Sequence, residues 1–434
     1  MSPNLTPTLR PDVRKLDVTV AGHLVGWLQD THPLSFVYSA ACLAGEVVSP
    51  FAEVIAVQPG ELSSEPVQAY FENLLPEGDQ RLALEQAHHV SSVFGMLALV
   101  GWDTAGALLL SPHEQAAAPD EYTPQTWAEL AQIIAGQKTL EQATQSAISG
   151  AQYKLLICLD ARGNPLLPKP SAASTYILKP DIVRTGQDVW ASAINETILM
   201  RMAGLCQLTV AEVSYQSEVR SCLVKRYDRY EAAGVPGGKV LRISQSDFCQ
   251  LLGLGSAVKY ECDAGPTFAD CYQLTKAQSS QPVQDCERLL KWLFFNLYTG
   301  NNDSHAKNLS ILDTSSGPRL APFYDLMCTT VYPGFKSEFA FKVGSTYVPG
   351  EMQREDLTLL GRSVGVSERY LLGLARSVAE QVLQAVAPAI EGLNDALGHG
   401  ERVMAERIGF KVSRTCRQMA TRLSGHEPRS LSAC

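Results

Sequence analysis

Asp303-Ser304-His305-Ala306-Lys307-Asn308 and, further on, Phe323-Tyr324-Asp325 are the stretches on which the fold turns. The first sets an Asp and an Asn five residues apart on a loop after the helix-like run Leu289–Tyr298. The second puts another Asp at the end of an apolar run. Transfer of a phosphoryl group from a magnesium nucleotide needs such a set. One carboxylate receives the proton of the attacking hydroxyl, a neutral amide oxygen holds metal, and a second carboxylate reaches the same metal from another segment. Two oxygen ligands from separate segments suit magnesium, which keeps several of its waters. Asp303 is then the base or orienter of the acceptor hydroxyl, and Asn308 and Asp325 are the metal ligands. A turn closed by an Asx hydrogen bond explains Asn301–Ser304, but neither the spacing to Asn308 nor the partner at Asp325. His305 serves equally as a structural hydrogen-bonder or a phosphate contact.

Upstream of this loop the pattern changes. Tyr153–Asp160 and Ser174–Lys179 read as strands around the turn Ala161-Arg162-Gly163-Asn164, Trp190–Gly204 as a helix, and Ala211–Gln216 and Arg220–Arg226 as two more strands. After Ser244 nearly everything has helical periodicity, through Arg422. A β-rich part with one helix, then a larger helical part, is the order of a bilobal, kinase-like α+β fold. Within it, Ser149-Gly150-Ala151-Gln152-Tyr153-Lys154 has small residues that let backbone N–H groups approach phosphate oxygens, although Ser-Gly is also a common turn. Lys179 closes an apolar strand and can reach phosphates, or simply extend to solvent. Glu196 on the next helix is placed to orient that lysine, or is a surface glutamate. Lys225-Arg226-Tyr227-Asp228 sits where β gives way to α, where backbone groups can meet an adenine edge and Asp228 the ribose hydroxyls; a charged turn is the plainer reading.

The first hundred-odd residues form a small α+β unit of their own. Leu16–Trp27 reads as a hairpin turning at Gly22, Leu34–Ser39 and Thr104–Ser111 as strands, and Val67–Leu75 as a helix ending at Pro76-Glu77-Gly78. Val93–Leu110 is the most apolar stretch, but Gly95, Gly101, Trp102-Asp103 and Gly106 interrupt it, and an Asp at a bilayer midplane costs about 2.5–3.5 kcal/mol or more. It reads as buried core. Ala116–Pro124 reads as a linker and Glu129–Ala147 as a helix opening into a turn. The expected domains are residues 15–115, 145–230 and 231–425.

The chain has 434 residues, 45% hydrophobic and 19% charged, an ordinary globular composition with room for a large core. A net charge of −9 argues against the whole chain being a free-standing nucleic-acid binder. The basic run Arg402–Arg422 is either a solvated helix face or a local contact for an acidic partner. Eleven scattered cysteines without a C-x-x-C favour reduced thiols over a disulfide framework or zinc site. The N-terminus has no apolar core of a signal peptide, so a cytoplasmic protein without a membrane partner is expected.

Asp303, His305 and Asn308 follow the D-x-H-x-x-N form found in antibiotic and lipid kinases. Several ordered motifs narrow the resemblance to one family. These are Phe71–Gly78, Gly150–Lys154, Leu223–Arg229, Asp247-Phe248-Cys249-Gln250, Val258-Lys259-Tyr260-Glu261, Asp303–Asn308 and Leu320–Asp325. Over about Leu16 to Leu423 the chain resembles the HipA toxin kinases of bacterial toxin–antitoxin modules. The resemblance implies a serine/threonine kinase fold with an N-terminal α/β subdomain, using ATP and Mg2+. It implies phosphorylation of an aminoacyl-tRNA synthetase, typically the glutamyl enzyme, which would halt charging and arrest growth. It also implies a HipB-type helix-turn-helix antitoxin that binds operator DNA, with the toxin as corepressor; a kinase-fold scaffold with little phosphotransfer is the alternative. By position, Asp303 is catalytic and Asn308 and Asp325 hold metal. Ser149, Gly150, Ala151, Gln152 and Lys154 belong to the nucleotide loop. Lys179, Glu196, Lys225, Tyr227, Asp228, His305, Lys307, Asn308 and Tyr324 complete the nucleotide contacts. In one departure, Ala147 stands where the family usually has a Ser whose phosphorylation switches the kinase off.

Overall fold

The structure is a computed structural model that describes residues 13–113, 120–137, 152–170, 172–183, 189–231 and 240–424. Two compact units emerge, each discontinuous in sequence. The first takes residues 1–180, 223–257 and 310–315, the second residues 181–222, 258–309 and 316–434. They cut across the three consecutive domains expected from sequence.

The first unit opens with a five-stranded antiparallel sheet in the order β4-β3-β2-β1-β5, with β1 Lys15–Val20, β2 His23–Gln29, β3 Ser35–Tyr38, β4 Glu61–Ser63 and β5 Leu108–Pro112. The β1–β2 hairpin turns on Ala21 and Gly22, both at positive φ (51° and 82°), the backbone a tight two-residue hairpin requires. One face of this sheet buries Leu16, Val18, Val25, Leu28 and Phe36 against an aromatic cluster of Phe51, Tyr70 and Phe71. Tyr70 and Phe71 lie on the helix Glu65–Glu72, capped by Ser64, whose side chain accepts from Val67 N. The apolar run starting at Val93 resolves into a buried helix, Val93–Val100, and then β5, which begins at Leu108 rather than Thr104. Among the described residues no helix is long and apolar enough to cross a membrane.

The same unit holds β6 Tyr122–Pro124, β7 Leu155–Leu159, β8 Pro165–Pro168 and β9 Tyr176–Pro180. β7 pairs antiparallel with both β8 and β9, and β8 with β6; Leu223–Lys225, the first-unit part of the strand Ser221–Lys225, lies beside β9. Two of the sequence motifs meet here. Tyr70 shares a hydrogen bond with Ser246 (2.8 Å), Gln250 donates to Tyr70 O (3.1 Å), and Asn73 donates to Leu254 O (2.8 Å). Residues after Ser244 are less uniformly helical than their periodicity suggests. Gln245–Asp247 pairs with Ser310–Thr314, which is why residues 310–315 join this unit. Ser310–Thr314 is short and buried along its first half, where periodicity cannot separate strand from helix.

The second unit is mainly helical. Glu368–Glu391 packs on Ser192–Leu205, Pro282–Thr299 and His399–Leu423. The helix Ser192–Leu205, expected with the β-rich part, belongs here because its residues are buried nearly throughout and two helices of this unit cover it.

Candidate functional site

Pro282–Thr299 delivers the chain to the loop. Gly300 ends it at φ 70°, a left-handed cap, and a Cβ there would sit 2.3 Å from Thr330 Oγ1. The next residues are tied down from below. Asn301 donates to Asn296 Oδ1 (2.8 Å), Asn302 N–H donates to Thr329 Oγ1 (3.0 Å), and Ser304 Oγ donates to Asn301 O (2.9 Å). His305 N–H bonds back to Asp303 O, and Asn308 N–H to His305 O. From Asn301 to Leu312 every residue is buried except Asp303, whose side chain is 55% exposed. The sequence therefore builds a rigid, buried loop that presents one carboxylate outward.

Asn308 is fixed by its own amide, whose Nδ2 donates to Asp303 O (2.9 Å). Because a carbonyl can only accept, this settles which end of the side chain is which and makes Oδ1 the atom that could meet a cation. Asp325 is positioned by a different route. Phe323 makes a parallel bridge with Val210, stacks on Trp292 (5.8 Å between centroids) and lies under Arg288. Two residues later Asp325 takes φ 58°, a left-handed conformation that few non-glycine residues adopt and that clusters at functional sites. Tyr324 donates to Lys307 O (2.9 Å), joining the Asp325 segment to the loop. Asp303, His305, Lys307, Asn308, Tyr324 and Asp325 thus belong to one unit, as does Glu196, which is buried on Ser192–Leu205. That helix starts where Asp181 accepts from Ala193 N (2.9 Å) and Ser192 Oγ accepts from Ile182 N (2.7 Å). The oxygen donors at Asn308 and Asp325 are of the kind a hard divalent cation prefers.

Gln152, Lys154, Lys179, Lys225, Tyr227 and Asp228 lie in the first unit. The β7–β9 register pairs Leu155 with Leu178. Continued by one residue, it sets Lys154 opposite Lys179, and both are buried. Residues directly opposite in an antiparallel pair share a face, so this register puts the two lysines on one face of the sheet. Gln152 Nε2 donates to Pro180 O (3.0 Å), tying the start of β7 to the end of β9. Ser149, Gly150, Ala151 and Ala147 lie outside the described residues. Lys225 is exposed and Tyr227 half-buried.

Asp228 requires a correction. Its carboxylate is buried and accepts from Arg226 Nε and Nη2, Arg229 Nη1 and Gly106 N, all at 2.7–3.0 Å. Burial opposes its charge, but Arg226 and Arg229 prevail and hold its pKa below the usual range. Asp228 is an internal counter-ion, and the ribose contact is withdrawn. A residue not singled out from sequence reaches the loop instead: Tyr260 donates its hydroxyl to Asp303 Oδ1. Its only signal in the sequence is membership of the motif Val258–Glu261.

The HipA N-terminal domain family matches residues 16–111, and the HipA-like C-terminal domain family matches residues 146–389. Y4mE of Sinorhizobium fredii, whose name gives it a provisional kinase assignment, is 35% identical over 401 residues, covering 88% of this chain and 93% of its own. The serine/threonine-protein kinase toxin HipA of Shewanella oneidensis is 27% identical over 352 residues, 76% of this chain and 79% of its own. The structure also matches that of a Shewanella oneidensis HipA solved with HipB and operator DNA, with a TM-score of 0.80 and 24% identity over 95% of this chain and 98% of the other. That likeness shows a shared, protein-kinase-like fold.

Proposed function

Since the chain belongs to the HipA family, we propose that it is an ATP- and Mg2+-dependent protein serine/threonine kinase. It acts as the toxin of a pair with a HipB-type antitoxin and operator DNA. Its acceptor is an aminoacyl-tRNA synthetase, by family resemblance the glutamyl enzyme, whose phosphorylation in the cytoplasm would inhibit translation and produce growth arrest and persistence. The observation that carries the reading is the buried loop that exposes Asp303 alone while fixing Asn308 Oδ1 as an acceptor. Asp303 would take the proton of the acceptor serine. Asn308 and Asp325 would hold magnesium, which supplies charge neutralisation on the phosphates. Lys154 and Lys179 would contact phosphate oxygens, with Glu196 orienting Lys179.

The test is phosphotransfer from labelled ATP with magnesium to purified glutamyl-tRNA synthetase and its tRNA. Label should appear on a synthetase serine and fall by about 10²–10⁴-fold in Asp303→Asn. ATP binding without label points to another acceptor, to be sought by labelling a cell lysate. No label on any lysate protein would sink the kinase reading and leave a corepressor scaffold.

A further inference from the structure

Asp303 is the exposed member of an otherwise buried loop, so the bonds inside the loop fix its backbone but not the direction of its carboxylate. That direction is set from outside. Tyr260 donates its hydroxyl to Asp303 Oδ1, and its ring meets His305 edge-to-face, with centroids 5.0 Å apart and planes at 89°. His305 Nε2 lies 4.0 Å from the same Oδ1. One side chain thus touches both polar residues that flank Ser304.

Tyr260 is itself held on a built platform. Asp263 N–H and Gly265 N–H both donate to Tyr260 O, at 3.0 and 2.9 Å. Gly265 approaches so closely that a Cβ would lie 2.4 Å from Val258 O and 2.5 Å from Tyr260 O. On the next residue, Glu261 N–H donates to Ala340 O (3.2 Å), and the Glu261 carboxylate accepts from Lys342 N (2.8 Å). Such support is what a catalytic group needs to stay near its productive geometry.

We infer that Tyr260 is a positioning residue for phosphotransfer, holding Asp303 by Oδ1 so that Oδ2 receives the acceptor hydroxyl. This rests on the kinase reading above. The proton of the acceptor hydroxyl passes to Oδ2 as the bond from its oxygen to the γ-phosphorus forms. The bond to the β–γ bridging oxygen breaks, and its electron pair leaves with ADP. Without Tyr260 the carboxylate samples other rotamers, and fewer encounters have an oxygen in place. Nucleotide affinity does not depend on that direction, so kcat should fall while ATP binding stays.

The experiment compares full-length wild type, Tyr260→Phe, Asp303→Asn and the double variant. The readouts are kcat and KM for ATP, with an acceptor the wild type labels, and Mg·ATP affinity by calorimetry. Tyr260→Phe keeps the ring on His305 and removes only the hydroxyl. It should lower kcat about 10- to 100-fold with ATP affinity within about twofold, and should cost little more on the Asp303→Asn background, since residues acting as a unit are not additive. Gly265→Ala, which displaces the platform, should repeat the kcat loss. An unchanged kcat in Tyr260→Phe, or an equal further loss in the double variant, overturns the inference while the kinase reading stands. A faster Tyr260→Phe overturns it too, because the hydroxyl would then occupy the acceptor's place. A wild type that labels nothing removes both.

Discussion

Asp325 shows how one residue type can meet a backbone requirement and bring a carboxylate at once. Its φ of 58° is open to glycine, and to Asn and Asp, whose short polar side chains bond locally, but disfavoured for other residues by about 1–2 kcal/mol. A glycine would fit this backbone but bring no carboxylate; an Asp enters the region at little cost and keeps one. Two substitutions separate the roles. Asp325→Asn should fold with near wild-type stability and lose most phosphotransfer. Asp325→Ala should lose the activity as well, and unfold about 1 kcal/mol more easily than Asp325→Asn, because the left-handed region costs an alanine more than an asparagine. Denaturant unfolding of the two variants checks this, and equal stability would show that the backbone there carries no strain. Asn308 and Asp325 could be singled out as candidates at this scale because residue type and spacing alone point to them. The direction of a carboxylate was not, since Tyr260 stands 43 residues from Asp303.

Among elements, the helix Pro282–Thr299 and the strand Gly317–Leu320 that leads to Asp325 must keep a fixed relation, and Asp285 supplies it. Its carboxylate accepts from Ser279 Oγ (2.6 Å), Arg288 Nη1 (2.8 Å), Arg319 Nε and Nη2 (2.8 and 2.9 Å) and Leu320 N (2.9 Å). Burial alone would raise its pKa, but the hydrogen bonds from Arg319, Ser279, Leu320 and Arg288 outweigh it and hold the carboxyl far below the usual range. A folded pKa below the unfolded one means stability that is present above the unfolded value, about 3.9, and lost as pH falls toward the folded one. Asp285→Asn offers one acceptor oxygen where the site needs two, and turns an amide N–H onto its donors. It should cost about 3 kcal/mol at neutral pH, and the gap to wild type should narrow steadily below about pH 4. Urea melts at several pH values measure it; a gap independent of pH would mean that the charge of Asp285 contributes nothing. Element positions were largely legible because the hairpin, the strands of the β7–β9 region and the helices carry strong periodicity. Their grouping was not. Ser192–Leu205 and Ser310–Thr314 joined units other than the sequence order suggested, because partners far along the chain decide where each buries its face.

The whole chain divides differently from its family matches, and a buried charge network gives the reason. Asp103 and Gly106 fall in the N-terminal match, Ser174, Arg226, Asp228 and Arg229 in the C-terminal one, yet all sit in a single compact unit. Asp103 Oδ1 accepts from Arg226 (3.2 Å) and Arg229 (2.8 Å), its Oδ2 from Ser174 N (3.0 Å), and both arginines donate to Thr104 O. Burial works against every charge here. Arg226, Arg229 and Arg242 overcome it for Asp103, which is held well below the usual carboxylate range. For Arg229, burial and the neighbouring Arg226 outweigh the two carboxylates and bring it down to about 10, still charged at neutral pH. In the sequence Asp103 marks only a break in an apolar run, since its arginine partners lie more than a hundred residues away. A network of this kind is a poor source of net stability compared with apolar packing, but removing one member strands the others, at about 3–5 kcal/mol. Asp103→Asn should therefore lower the melting temperature of the whole first unit, the N-terminal sheet and β7–β9 together, and hydrogen exchange should show protection falling in both. A chain lacking residues 1–115 should fail to form β7–β9 stably, because Arg226, Arg229 and Asp228 would lose Asp103 and the backbone of residues 104–106. If that truncated chain folded cooperatively and kept its exchange protection, the two family matches would be independent domains and the network only a tether.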